Sequence, residues 1–330
     1  MAYAGLDLHK SFCQAIVCTY EGEVLKEGRI PTEQEDIEEF FSGLECLEIA
    51  LEASTNYEYY YDLLESLGHH VVVAHPLKTR MIADAKIKTD KLDAKILVEL
   101  LRGDLLPTSY VPPKELRELR HLVRHRIVLG RLRGGLKTRI KTELRRKNIK
   151  YREGANCFTE KGKAELKCLH NPVVDSYLTI YEVVEDELKK VDRSIAEAGA
   201  RYEEVKLLTS ITGIGVYSAL VIYSEIGDGS RFPTEDKVFS YAGLVPRVHQ
   251  TGNEQYYGRI TKEGSKYLRW ILVEAARIHV QWCPESKITK HYEKVKRKRG
   301  EKIAIVAAAR KLLQAIYYML KNNEPFRIEG

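Results

Sequence analysis

The first hundred residues alternate short apolar runs with amphipathic stretches, a pattern that predicts an α/β unit. Apolar runs bounded by turn residues predict strands at residues 3–8, 12–20, 24–30, 47–51 and 71–74. Helical spacing predicts helices at residues 32–44, 59–67 and 89–102. Three antiparallel strands followed by parallel strands joined by helices indicate a sheet of the ribonuclease H type, in which the first and fourth strands are neighbours.

The rest of the chain has a helical pattern. Leu105–Lys114 contains three prolines and predicts a stiff linker. The helical spacing that follows has a candidate kink at Gly134-Gly135, and residues 153–171 are predicted to be irregular. Apolar residues then recur every three or four positions over Tyr181–Val205, which predicts a helical hairpin or coiled coil. We predict three parts: residues 1–110, a basic and coiled-coil region 111–206, and a mostly α-helical part 207–330.

Charge is unevenly distributed along the 330 residues, although the net charge is only +6. Lys114–Arg152 holds 15 Lys/Arg and three Asp/Glu, whereas Glu21–Ser66 holds 14 Asp/Glu and two Lys/Arg. A helix with arginines on several faces is typical of proteins that follow the phosphate backbone of DNA or RNA. The candidate contacts are Arg124, Arg131, Arg133, Lys137 and Arg139.

Composition excludes several classes of protein. The longest wholly apolar run is seven residues, Ile303–Ala309, which is too short for a membrane helix of about 20 residues. We expect no signal peptide, because a strand with an aspartate follows Met1 at once. The six cysteines lack CxxC spacing, which indicates reduced thiols and neither zinc nor disulfides. A cytoplasmic protein with no membrane partner is expected.

Four carboxylates are positioned for metal chemistry. Asp7 lies on the first strand, Glu52 closes the fourth, and Asp90 and Asp93 share one face of a helix. In the predicted sheet these groups can converge, and they would repel one another without cations. Oxygen ligands suit Mg²⁺, and a pair of Mg²⁺ ions serves phosphodiester chemistry.

Simpler interpretations of the same carboxylates remain open. A single aspartate near a strand, or two at i and i+3, is usually solvated. Thr89 could cap the helix, with Asp90 as a first-turn residue that favours the helix dipole. Glu48, Glu58 and Asp84 are alternative ligands.

A short glycine-bearing turn lies between two predicted helices in the last third of the chain. Gly213 and Gly215 in this turn fit a helix-hairpin-helix element, where backbone N–H groups approach a phosphate. A GxG turn is equally common as a device for close helix packing.

Taken in order, the motifs resemble a family. Gly5-Leu-Asp7-Leu-His-Lys10, Leu51-Glu52-Ala-Ser-Thr55, His75-Pro76 and Lys88-Thr-Asp90-Lys-Leu-Asp93-Ala94 resemble the RuvC-like Asp-Glu-Asp-Asp domain of bridge-RNA-guided insertion-sequence transposases. The later motifs resemble the second, serine-bearing transposase domain of that family: Ile211-Thr-Gly213-Ile-Gly215, Arg231-Phe232, Tyr241-Ala-Gly-Leu-Val-Pro246, Gln250-Thr-Gly252, Gly258-Arg-Ile-Thr-Lys-Glu-Gly264 and Leu268-Arg269.

The resemblance implies a recombinase. Its carboxylates, at Asp7, Glu52, Asp90 and Asp93, would bind Mg²⁺ and act with a nucleophilic serine of the second domain. That serine attacks a DNA phosphate and holds the cut strand covalently before religation. A noncoding RNA pairs with donor and target DNA, and the active assemblies are dimers and tetramers with composite sites.

This chain departs from the family at the nucleophile. The family's serine aligns best with Thr251 in Gln250-Thr251-Gly252, where a hydroxyl is kept but a methyl crowds it. The alternatives are Ser265 or a chain that has lost strand exchange.

Two other functions fit the same features. The first is a RuvC-like nuclease that only hydrolyses DNA. The second is a non-catalytic nucleic-acid-binding protein whose carboxylates are structural.

Overall fold

The computed structural model describes residues 2–82, 89–149, 157–251 and 254–328. Within the strands, the side chains of His249, Thr251, Glu254, Gln255 and Tyr257 are outside this description. The chain forms two compact units, Met1–Pro112 and Pro113–Gly330, and each is described by itself. The predicted division of the second unit at residues 206/207 stays a prediction.

The first unit is a mixed sheet with helices. Its strands are β1 (Ala2–Leu8), β2 (Phe12–Cys18), β3 (Val24–Pro31), β4 (Leu47–Leu51), β5 (His70–Ala74) and β6 (Thr108–Ser109). Its helices are α1 (Gln34–Phe41), α2 (Tyr57–Ser66), α3 (Pro76–Ile82) and α4 (Asp90–Arg102). The strand order is β3-β2-β1-β4-β5-β6. β1 pairs antiparallel with β2 and parallel with β4, so the first and fourth strands are neighbours.

Helices cover both faces of this sheet. On one face of β1, Ala4, Leu6 and Leu8 are buried in the same apolar cluster as residues of α1 and α2. On the other face, Ala94 and Val98 of α4 pack against β2 residues. A sheet covered on both faces explains the nearly continuous apolar runs in β1 and β2.

The second unit is mostly helical. Its helices are α5 (Lys114–Arg146), α6 (Glu160–Lys167), α7 (Pro172–Gly199), α8 (Glu203–Leu208), α9 (Val216–Ile226), α10 (Glu235–Ala242), α11 (Lys266–Trp282), α12 (Lys287–Arg299) and α13 (Glu301–Asn322). Between α10 and α11 lies an antiparallel hairpin of β7 (Pro246–Thr251) and β8 (Glu254–Ile260). Helix α5 continues through Gly134-Gly135, so these glycines do not end the helix, and a kink there stays a prediction. The prediction that residues 153–171 are irregular is wrong in part, because α6 lies within them.

The predicted apolar seam packs α7 against α5. Tyr181, Val184 and Leu188 of α7 are buried in one cluster with Leu136 and Ile140 of α5. The seam ends earlier than predicted, because α7 stops at Gly199 and Val205 belongs to α8. Packing along α7 explains why α5 stays helical through two glycines of low helix propensity.

Helix α13 runs through the core of the second unit. It is the one helix among the described residues that is long and apolar enough to cross a membrane. Ten of its residues are buried in the core, among them Ala308, Leu312, Leu313 and Ile316. Its apolar composition is therefore accounted for by packing against its neighbours.

Candidate active site and nucleic-acid contacts

Two neighbouring strand ends hold the first two predicted ligands. Asp7 lies near the end of β1 and is buried. In the parallel pairing, Leu6 is opposite Leu51, and the N–H of Glu52 donates to the Leu6 carbonyl at 3.1 Å. Glu52 is thus beside Asp7 along the sheet, and its side chain is exposed.

The first turn of α4 carries Asp90 and Asp93. The hydroxyl of Thr89 accepts a hydrogen bond from the N–H of Leu92 at 3.2 Å, so Thr89 is the N-cap. The N–H of Asp93 donates to the Thr89 carbonyl at 2.9 Å. The cap predicted as the simpler alternative is therefore present, and it fixes the orientation of the turn that carries both aspartates.

Gly5 determines how closely α4 approaches the sheet. A Cβ on Gly5 would lie 2.3 Å from the carbonyl oxygen of Ala94 and 2.8 Å from the nitrogen of Val98. Both are backbone atoms of α4, so no larger residue fits without moving the helix. Gly5 and Asp7 point to the same face of β1. The glycine therefore brings the first turn of α4 to Asp7, a role that sequence reasoning missed although a glycine inside a strand signals such an approach.

His9 lies between two of the carboxylates. Its Nε2 is 3.1 Å from Oδ2 of Asp7 and 3.3 Å from Oδ2 of Asp90. The ring stacks on Phe12 with centroids 4.4 Å apart, and Nδ2 of Asn56 donates to the His9 carbonyl at 3.1 Å. The stacking on Phe12 of β2 restrains the imidazole ring, and the hydrogen bond from Asn56 restrains the His9 backbone.

Asp7, His9 and Asp90 offer three ligand atoms within 4.8 Å of one another. Among the residues that the structure describes, they form the one His/Cys/Asp/Glu group able to hold a metal ion. Glu52 and Asp93 are next to this group in the backbone but are not members of it. From sequence, His9 was expected near the metal site but not as a ligand, because histidine is not a preferred ligand for Mg²⁺.

The alternative ligands differ in position. Glu48 pairs with Tyr3 at the opposite end of β4, about 13 Å from Glu52 at about 3.3 Å per strand residue. It lies 3.6 Å from Nδ1 of His70 instead. Glu58 is in the first turn of α2, and Asp84 lies outside the described residues.

Burial keeps a neighbouring thiol out of metal chemistry. Cys13 lies on β2, and its pKa is raised to about 12, first by burial and further by the charge of Asp7. Burial therefore disfavours the thiolate, which is the form that binds metal. All six cysteines of the chain are free.

The five predicted basic contacts on α5 fall into different environments. Arg131 and Arg139 are exposed. Lys137 lies over the rings of Phe158 and Tyr181, at 4.9 and 5.5 Å from their centroids.

The other two arginines have carboxylate neighbours. Arg133 is 4.0 Å from an oxygen of Glu185. Arg124 donates from Nε and Nη2 to Oε1 of Glu225, at 3.0 and 2.6 Å. Arg131 and Arg139 are thus the most accessible of the five cations.

The two glycines of the predicted helix-hairpin-helix turn have different roles. Gly213 has φ +98°, and a Cβ there would lie 2.7 Å from the carbonyl oxygen of Ala275. This glycine is needed for packing against α11. Gly215 is the N-cap of α9, and a Cβ there would meet nothing within 4 Å.

Thr251 ends β7 and pairs with Glu254 across the hairpin. Its side chain lies outside the described part of the chain, as do Gly252 and Asn253. The alternative nucleophile, Ser265, is the N-cap of α11, and its hydroxyl accepts from the N–H of Leu268 at 3.1 Å. A structural role thus accounts for Ser265.

Two converging carboxylates on a mixed α/β sheet, in a chain that also carries a strongly basic helix, fit an enzyme that acts on the phosphodiester backbone of a nucleic acid. Comparison with known proteins gives the family. A model of IS110-type transposases with an Asp-Glu-Asp-Asp domain matches residues 4–149. A second model, of the IS116/IS110/IS902 transposase family, matches residues 205–293. The chain belongs to the IS110/IS116 family of transposases.

Individual relatives agree with this family. The transposase of insertion sequence IS1533 from Leptospira borgpetersenii is 28% identical, over 98% of this chain and 97% of its own length. The transposase of IS1111A from Coxiella burnetii is 25% identical, over 98% and 90%. A pilin gene-inverting protein from Moraxella bovis is 36% identical over 122 residues, which are 36% of this chain and 38% of that protein.

Proposed function

We propose that this chain cleaves and exchanges DNA strands for an insertion sequence, in a reaction that depends on Mg²⁺ and is guided by a noncoding RNA. The observation that carries the proposal is the convergence of Asp7 and Asp90 around His9. It occurs inside the segment that matches the Asp-Glu-Asp-Asp transposase model.

The side chains at this site suit magnesium. Asp7 and Asp90 would be the first ligands, with Glu52 and Asp93 completing an oxygen-rich set. When bound, a pair of Mg²⁺ ions activates the attacking oxygen and stabilises the leaving oxygen. His9 would orient Asp7 by hydrogen bonding, and its Nε2 lies close enough to Asp90 to hold the two aspartates on either side of one imidazole.

The architecture supports a ribonuclease H-like, RuvC-like first domain. The order β3-β2-β1-β4-β5, with β1 and β4 parallel, agrees with that fold. In the second unit, α8, the turn before Gly215 and α9 support a helix-hairpin-helix element. We retain the division into residues 1–110, 111–206 and 207–330 as part of the proposal.

The nucleophile in this proposal is the hydroxyl of Thr251. Its oxygen would bond to the phosphorus as the bond from phosphorus to the leaving sugar oxygen breaks, and the hydroxyl proton would pass to a base. The product is a DNA phosphate esterified to Thr251, which the other strand's hydroxyl can later reverse. A position near the hairpin turn and the capping role of Ser265 both favour Thr251.

A homo-oligomer, either a dimer or a tetramer, is proposed as the active form. Val173, Ile180 and Val183 of α7 are large apolar side chains that are exposed in the single chain. Spacings of 7 and 10 residues put them on one face of the helix. This stripe lies beside the seam with α5 on the helix surface, and a second copy could pack on it.

We expect purified protein with its bound RNA to cut and join donor and target DNA in Mg²⁺. EDTA or ribonuclease treatment should abolish joined product, and sequencing should find one enriched RNA. Cleavage without joining favours a hydrolytic nuclease instead. If no RNA is enriched, guidance by RNA is wrong, whatever the outcome of cleavage.

Exposed arginines on α5 are expected to hold the nucleic-acid backbone. Replacing Arg131 and Arg139 together by alanine should weaken binding of every duplex alike. The slope of log K against log salt should become shallower by about 0.9 for each lost phosphate contact. The control replaces Lys189 and Lys190 of α7 by alanine, since these lysines pair with Asp186 and Glu187. An equal change in the control would contradict the assignment.

A further inference from the structure

Glu225 is a carboxylate in the core of the second unit. Its side chain has no exposed surface, although it is charged in an ion pair with Arg124. Oε1 accepts two hydrogen bonds from Arg124, and Oε2 accepts one from the hydroxyl of Tyr241 at 3.0 Å. Glu225 thus joins the basic helix α5 to the end of α10.

The end of α9 that carries Glu225 is surrounded by cations. Arg120 donates to the Ser224 carbonyl at 2.8 and 3.0 Å, and Arg231 donates to the Glu225 carbonyl at 2.9 Å. These contacts fix the backbone of the last turn. The orientation of the Glu225 carboxylate relative to α5 is therefore well determined.

Tyr241 lies at the base of the β7–β8 hairpin. It is followed after four residues by Pro246, the first residue of β7. On the other side, the N–H of Ser265, just after β8, donates to the Tyr241 carbonyl at 2.8 Å. The segment before β7 and the segment after β8 pack closely at Gly243 and Gly264. No larger residue fits at either position, because a Cβ would lie 2.2 Å from a backbone oxygen of the facing segment.

The buried ion pair between Arg124 and Glu225 indicates a role beyond packing. A buried ion pair is often no more stabilising than apolar residues of the same volume, so stability alone gives little reason to keep one. Burial, and then the charge of Glu225, raise the pKa of Tyr241. The hydroxyl therefore stays protonated and donates to the carboxylate throughout the neutral range.

Helix α5 also approaches α11 at this point. The guanidinium of Arg124 is 4.7 Å from the centroid of Tyr267, and that of the exposed Arg131 is 5.9 Å from the same ring. Nucleic acid bound to Arg131 would therefore lie close to the Arg124–Glu225 pair.

We infer that Glu225 and Tyr241 are positioning residues that couple the nucleic-acid-binding helix α5 to the hairpin carrying Thr251. Arg124, Glu225 and Tyr241 form a continuous hydrogen-bonded path from α5 to the hairpin base. Movement of α5 on nucleic acid is transmitted to the orientation of that base. The inference rests on the proposed role of Thr251.

The test compares Tyr241→Phe with the wild type in formation of the covalent protein–DNA adduct. We expect the rate at saturating DNA to fall at least about 10-fold, since a hydrogen bond to a charged group is lost. The DNA Kd should stay close to wild type, and the Tm should fall no further than in the control variant, because both changes leave a carboxylate short of one hydrogen bond. The control is Tyr181→Phe on α7, which also removes a tyrosine hydroxyl that donates to a carboxylate, that of Glu185 at 2.5 Å. This control should leave the rate of adduct formation unchanged.

Coupling predicts non-additive effects. Arg124→Lys loses the pair of hydrogen bonds that the guanidinium donates to Glu225, and it should also slow adduct formation. The double variant with Tyr241→Phe should be about as slow as the slower single variant, because both act through one carboxylate. Multiplied effects, or an unchanged rate in Tyr241→Phe, would overturn the inference. A wild type that forms no adduct overturns the proposed function itself, and the two failures are distinguishable.

Discussion

Replacing Asp7 by asparagine is expected to lower the rate of DNA cleavage by about 10³-fold or more, because a metal ligand and its charge are lost together. Asparagine has the shape of aspartate and can still hydrogen-bond to His9. Folding and DNA affinity should therefore change little. Cleavage at saturating DNA, DNA binding and Tm are measured on the same preparation.

A matched control uses an aspartate outside the site. Asp104 is exposed and has φ +53°, a conformation that asparagine adopts readily. Asp104→Asn should behave as wild type in all three measurements. If Asp7→Asn cleaves DNA at the wild-type rate, the assignment of Asp7 as a metal ligand is wrong. If the wild type cleaves no DNA with any divalent metal, the non-catalytic alternative is favoured.

Thr251→Ala should abolish the covalent protein–DNA adduct, since alanine offers no hydroxyl. Thr251→Ser should form the adduct faster than the wild type, because serine lacks the methyl that crowds the oxygen. The adduct is detected as a shifted band on a denaturing gel with labelled DNA.

Ser265→Ala distinguishes the two candidate nucleophiles. It removes an N-cap and should cost about 0.5–2 kcal/mol of stability, while adduct formation at low temperature persists. An adduct that survives in Thr251→Ala would rule Thr251 out, and one that vanishes in a folded Ser265→Ala would favour Ser265 as the nucleophile.

Much of the first unit was predictable from sequence. The five longer strands stand out because apolar runs between turn residues are a strong local signal. Helix α3 and the two-residue β6 were missed. Pro76 follows β5 closely and begins α3, a position at which proline's fixed φ is favourable.

In the second unit, tertiary packing overrode local signals. Gly134-Gly135 disfavours a helix in isolation, but the seam with α7 stabilises α5, which stays helical through both glycines. The β7–β8 hairpin was missed because its sequence is polar and does not alternate cleanly.

The candidate site was only partly predictable. Asp7 and Asp90 follow from their motifs, whereas the place of His9 depends on how tightly α4 crosses Gly5. Arg124 looked like any other arginine of α5. Its partner, Glu225, is 101 residues away in sequence, and only the fold brings the two together.

The most direct measurement of the central claim is to identify the residue joined to cleaved DNA. The wild-type protein is incubated with donor DNA in Mg²⁺ or EDTA, digested with protease, and analysed by mass spectrometry. We expect a nucleotide-modified peptide containing Thr251, in Mg²⁺ only. Cleaved DNA with no attached peptide, or attachment to another residue, would contradict strand exchange through Thr251.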